Sequence, residues 1–269
     1  MEYGTHAATV NLCINEEKYI LYKSNTKPFL MGLLALAIAP GLAICLFIFY
    51  KDKYNREPLW MLLLAFFLGV LSIIPAAIIE NYYGSDISFI QGEGALSVAF
   101  FTFCIVAASE EGSKFLMLRL FVYPRKHFDD PFDGIVYAVM VSMGFATIEN
   151  IFYVTEHGYA NGVARMFLAV PAHGTFAVLM GYFVGLAKFR PNGRLFYFIL
   201  ALLLPILFHG AYDFFLFVGT NEWIFIGAII SLIVALFLSF KAIKRKQLLS
   251  KLYHEEKNKI QDGGQPNLL

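Results

Sequence analysis

The sequence predicts an all-α, polytopic transmembrane bundle of about seven spans, and three observations carry that expectation. Of the 269 residues, 58% are hydrophobic and 15% charged, and the mean hydropathy of +0.62 is spread along the chain, as in multi-spanning membrane proteins. Apolar stretches of about 20 residues, long enough to cross the hydrocarbon as helices, recur throughout. Lysines and arginines gather in alternate connections between them, which orients such a bundle.

The chain begins with a tail, 1–28, that lacks the basic region and short apolar segment of a cleavable signal peptide. The apolar stretches then run over 29–50, 58–80, 95–121, 132–155, 163–187, 195–218 and 222–242. Lys51, Lys53 and Arg56 follow the first; Arg119, Arg125 and Lys126 follow the third; Lys188, Arg190 and Arg194 follow the fifth; Lys241, Lys244, Arg245 and Lys246 follow the seventh. The connections 81–94, 156–162 and 219–221 carry none. By the positive-inside rule the basic loops and a C-terminal tail, 243–269, are cytoplasmic, and the N-terminal tail is extracytoplasmic. The segment from Asp262 to Pro266 reads as disordered. Cys13, Cys45 and Cys104 make neither a disulfide framework nor a metal-ligand set. The net charge of +1 gives no reason to expect a nucleic-acid partner; the lipid bilayer is the expected surroundings.

Ionisable residues interrupt this apolar background. Glu110, Glu111 and Lys114 fall in the third stretch, Glu149 in the fourth, His173 in the fifth, and His209 with Asp213 in the sixth. An acid or lysine at a helix centre costs about 2.5 to 3.5 kcal/mol on insertion scales, so these groups are expected to face one another or a watery cavity. Lys114 lies four residues after Glu110 and three after Glu111, close enough to pair with either. Gly134, Ala138, Ser142 and Phe145 lead in helical steps to Glu149. His173, Ala177, Gly181 and Gly185 form a second ladder of small residues, the mark of closely packed membrane helices. His209 and Asp213 are one turn apart, so the carboxylate can fix the imidazole tautomer. Helical rise places the cluster between the midplane and the outer surface. Asp133, after Asp130-Pro131, reads as helix-start structure, and Glu80 as a solvated residue at an outer helix end.

Buried Glu and His sets activate water: a desolvated carboxylate takes a proton, and imidazoles donate to an oxyanion. Neither a His-Glu-x-x-His zinc motif nor a Gly-x-Ser-x-Gly elbow is present. Zinc on His173, His209 and Glu149 is chemically possible, although no cofactor is required by this reading. The competing class is a proton-coupled transporter or channel built on the same acids and histidines, but the chain has no internal repeat.

The motifs Ile38-Ala39-Pro40-Gly41, YKDKYNREP from Tyr50, SEEGSKF from Ser109, FDGIVYA from Phe132, GFATIEN from Gly144, the His173 region and HGAYDF from His209 resemble the PrsW family of bacterial membrane proteases. That family lies in the wider superfamily of ABI-type CAAX prenyl proteases. The resemblance spans residues 38 to about 243 and makes 29–242 a transmembrane protease domain. It implies a glutamic-type peptidase of the bacterial cell membrane that makes the first, extracytoplasmic cut in a single-pass anti-sigma factor. A site-2 protease would act on the product, and an envelope-stress sigma factor would be released. It implies catalytic roles for Glu110, Glu111, Glu149, His173 and His209, with Lys114 and Asp213 supporting.

Overall fold

The computed structural model describes residues 31–84, 94–190, 192–218 and 222–261. The N-terminal tail and the segment after Gln261 lie outside the described residues. Seven helices follow: α1 (Met31–Lys51), α2 (Leu59–Gly84), α3 (Ala95–Val122), α4 (Asp133–Phe167), α5 (Ala169–Phe189), α6 (Arg194–Phe217) and α7 (Glu222–Gln261). There is no strand among the described residues. Six apolar helical stretches are long enough to cross a membrane. The fourth, Asp133–Phe189, contains 57 residues and would be about 86 Å long if straight. It is instead broken where Gly158 adopts φ 78° and at the kinked Leu168, giving two legs that pack antiparallel.

Small residues set that packing. A Cβ placed on Gly181 would lie 2.2 Å from the Gly134 carbonyl oxygen, and one on Gly144 would lie 1.9 Å from that of Phe66. The α4 backbone therefore touches α5 at one end and α2 near its middle. The most apolar 18-residue portion of Asp133–Phe189 is 78% buried, against 28–39% for the matching portions of the other stretches. The α4–α5 hairpin is thus the centre of the bundle, with Tyr137, Phe145 and Phe176 fully enclosed. The exposed apolar residues of α1, α2, α6 and α7, such as Leu46, Phe67, Leu203 and Phe237, form the outer belt expected of a bilayer-embedded chain.

Two features depart from regular helices and simple tails. In α3, Phe101–Ala107 and Leu118–Val122 are π-helical and flank the regular turns Ala108–Met117. In α7 the charged residues after 243 continue as helix to Gln261. Gln247 Nε2 donates to the Lys51 carbonyl at 2.6 Å, and Ser250 Oγ and His254 Nε2 meet Asp130 Oδ2 at 2.8 and 3.0 Å. Those bonds dock the end of α7 on the end of α1 and on the connection preceding α4.

Candidate active site

The polar groups singled out in the sequence meet at one place. Glu110, Glu111 and Lys114 occupy the regular turns of α3, where each is buried. Lys114 Nζ lies 3.0 Å from Glu110 Oε2 and 2.8 Å from Glu111 Oε1. It also contacts His173 Nδ1 at 3.2 Å and sits 4.0 Å from the centre of the Phe145 ring. An ammonium only donates, so Nδ1 of His173 accepts and its Nε2 carries the proton. That Nε2 donates to Glu149 Oε2 at 2.9 Å. Ser142 Oγ donates to the His173 carbonyl at 3.0 Å, which fixes the register of α4 against α5.

His209 is held from both sides. Its Nδ1 is 3.0 Å from Glu111 Oε1 and its Nε2 is 3.2 Å from Asp213 Oδ2. The Phe176 ring stacks on it at 5.2 Å between centroids, and the two imidazoles meet edge to face at the same separation. Both ring nitrogens of His209 are therefore engaged with carboxylates.

The cluster forms the wall of a cavity of about 900 Å³ lined by Glu80, Glu110, Glu149, Arg165, His173, His209 and Asp213 together with aromatic side chains. Its lining comes from the end of α2, residues 101–110 of α3, residues 145–165 of α4, the start of α5, the end of α6 and Phe225 of α7. All of these lie at the end of the bundle away from the Lys/Arg-rich loops. Glu110 lines the cavity, whereas Glu111 stands behind it, fully buried, with Oε2 lacking a hydrogen-bond partner.

Two lining residues have roles that spacing did not reveal. Glu80, which reads from the sequence as a solvated helix-end residue, instead accepts a hydrogen bond from Ser109 Oγ at 2.9 Å and faces the cavity. Arg165 pairs with Glu149 at 2.9 Å, as an ion pair rather than an aligned hydrogen bond. Its Nε donates to Asn150 Oδ1 at 2.9 Å. The sequence signal for Arg165 was a lone arginine at the basic-poor end of the bundle, within reach of an otherwise unpaired acid.

The donor set fits a metal ion. Glu110, Glu111, His173 and His209 each offer a ligand atom, all within 4.8 Å of one another. One Glu111 oxygen is buried without a partner, and the Lys114 ammonium already stands as a cation against three of the four groups. Two imidazoles and a carboxylate are an ordinary zinc ligand set. Glu149 stands outside this group, held by Arg165 and His173.

Comparison with known proteins agrees with this geometry. Residues 57–241 match the family described as PrsW family intramembrane metalloprotease. The Protease PrsW of Bacillus subtilis (strain 168) is 38% identical over 197 residues, covering 73% of this chain and 87% of that protein. That of Geobacillus kaustophilus (strain HTA426) is 37% identical over 195 residues, 72% of this chain and 83% of its own. That of Clostridioides difficile (strain 630) is 35% identical over 233 residues, 84% of this chain and 94% of its own. No solved structure gives a significant match. Nothing in the geometry or in these comparisons supports the transporter reading.

Proposed function

Because the chain belongs to the PrsW family of intramembrane metalloproteases, we propose that it makes the first, extracytoplasmic cut in a single-pass anti-sigma factor of a bacterial cell membrane. A site-2 protease would then act on the product and release an envelope-stress sigma factor. The observation that carries this reading is the convergence of Glu110, Glu149, His173 and His209, from four helices, on one cavity at the basic-poor end of the bundle. By the positive-inside rule that end is extracytoplasmic, where the juxtamembrane stretch of a single-pass substrate would enter.

Of the adjacent acids Glu110 and Glu111, Glu110 is the one that faces the cavity, and we assign it as the base. It takes a proton from water as the water oxygen attacks the scissile carbonyl carbon. The same proton then passes to the leaving amine as the C–N bond breaks. Lys114 holds the Glu110 carboxylate in place and neutralises Glu111. Glu111 and Asp213 fix the His209 ring from opposite sides, and Glu149, anchored by Arg165, orients His173. A proton on His173 Nε2 turned from Glu149 to the substrate would stabilise the tetrahedral oxyanion. His173, His209 and Glu111 would hold zinc, which when bound would polarise the carbonyl and acidify a water for Glu110 to deprotonate.

The test is reconstitution of the purified protein in liposomes with candidate single-pass anti-sigma factors, with mass spectrometry locating the cut. A single cut at the extracytoplasmic membrane border supports the reading. A cut confined to the cytoplasmic border, or none in any candidate, contradicts it.

A further inference from the structure

At the opposite end of the bundle, the motifs around Glu57 and Asp133 build a second group of carboxylates that peptide hydrolysis does not use. We propose that Glu57, Asp129 and Asp133 bind a hard divalent cation of the magnesium or calcium class, which ties the α1–α2 connection to the start of α4. This site is independent of the peptidase reading: from Asp133 to Glu149 is about 24 Å of helix.

The three acids carry charge that no neighbouring cation among the described residues balances. Each of the three residues offers a carboxylate oxygen, and the three oxygens lie within 4.8 Å of one another. Glu57 is 5% exposed and Asp133 not at all, so water screens their repulsion poorly. Among the described residues no lysine or arginine forms an ion pair with any of the three; the only ion pair in the region is His254 with Asp130. Removing like charges from water without a cation between them is strongly unfavourable.

The chain's own donors serve part of the cluster and leave a gap. Asp133 Oδ2 accepts from the backbone N–H of Asp129 and Asp130 at 2.8 and 2.7 Å. Its Oδ1 is buried with no hydrogen-bond partner, although the side chain lies against the Glu57 carboxylate. Tyr137 Oη donates to Glu57 Oε2, and Asn55 Nδ2 donates to Asp129 Oδ1 at 2.8 Å. A buried carboxylate oxygen without a donor, facing other carboxylates, is where an ion would be expected. All the ligands are hard oxygen donors, which suit Mg²⁺ or Ca²⁺ rather than softer metals. Asp129 is exposed and gives a route from solvent.

A proton shared between Glu57 and Asp133 would relieve the same repulsion. Burial pushes the carboxyls of Asp52 and Glu57 up to about 7, so the experiment has to separate cation from proton. The full-length protein in lipid nanodiscs is titrated with MgCl₂, CaCl₂ and ZnCl₂ in turn after chelator treatment and dialysis. Binding is read by calorimetry and by the midpoint of thermal unfolding. Wild type and Glu110→Gln are expected to bind Mg²⁺ or Ca²⁺ and to gain stability alike, which places the ion away from the peptidase site. Asp129→Asn, a near-isosteric change at an exposed position, and Glu57→Gln are expected to weaken binding by about tenfold or more, the loss that removing even a ligand's hydrogen-bonding partner brings at metal sites. Three results would each overturn the proposal: no response to either ion at millimolar concentration, a response to zinc alone, or the same affinity in Asp129→Asn and Glu57→Gln as in wild type. Stabilisation by Glu57→Gln with no ion response in wild type would identify the shared proton instead.

Discussion

Replacing Lys114 with methionine removes the ammonium at the centre of the active-site network while keeping a flexible chain of similar length. Lys114 is 1% exposed, Glu110 4% and Glu111 not at all, and the ammonium touches both acids at 2.8–3.0 Å. Breaking a buried ion pair by deleting one partner costs about 3–5 kcal/mol, because the remaining charge stays buried. Loss of the contact with Phe145 adds up to about 2 kcal/mol for a desolvated cation over a ring, whereas the methionine stem conserves most of the packing. Partial relief comes from His209, which still faces Glu111. The expected loss for metal-free protein is therefore about 3–5 kcal/mol, or roughly 10² to 10⁴ in the unfolding equilibrium, measured by reversible unfolding in mixed micelles. The double variant Lys114→Met, Glu111→Gln should recover part of it, since one of the two stranded acids becomes neutral. Zinc should stabilise Lys114→Met more than wild type, because the lysine no longer competes for the same ligands. A loss below about 1 kcal/mol in metal-free Lys114→Met, the range of an exposed pair, would refute the account of a buried, mutually compensated cluster.

Other consequences follow from the same geometry. Gly181→Ala puts a Cβ 2.2 Å from the Gly134 carbonyl and should destabilise the protein by about 1–3 kcal/mol in the same unfolding assay. Gly112→Ala meets nothing within 4 Å and should instead gain about 0.5–1 kcal/mol of helix propensity. Arg165→Gln removes the partner of Glu149 and should lower kcat/KM by about 10–100-fold without changing the unfolding midpoint by a comparable amount. If the site works with zinc, a strong chelator should abolish cleavage, zinc should restore it, and elemental analysis of active protein should find one equivalent of zinc.

The architecture was legible because hydropathy alone locates seven apolar legs, and helical spacing alone puts Gly134 and Gly181 on surfaces where backbones meet. The convergence of Glu149, His173 and His209 was legible for a related reason: polar groups at membrane depth have to find one another. The order of Glu110 and Glu111 was not legible. The π-helical turns over Phe101–Ala107 change the angular register of α3, and no periodicity count anticipates them. The pairing of Arg165 with Glu149 depends on the kink at Gly158, and that of Glu80 with Ser109 depends on how α2 crosses α3. The basic tail read as a separate segment because lysines and arginines end its hydropathy. Docking of Gln247, Ser250 and His254 on neighbouring connections keeps it helical to Gln261. Asp133 read as helix-start structure; its bonds run back to Asp129 and Asp130, which draws those acids toward Glu57.

Catalysis in this reading rests on Glu110, at the cavity wall, as the base that makes water attack a peptide bond. Its most direct test is single-turnover cleavage of a reconstituted substrate by Glu110→Gln, with unfolding measured on the same preparation to confirm the fold. The cleavage rate is expected to fall by about 10² to 10⁴, the range for loss of a positioned general base, in protein that still folds. Cleavage by folded Glu110→Gln at the wild-type rate would contradict it.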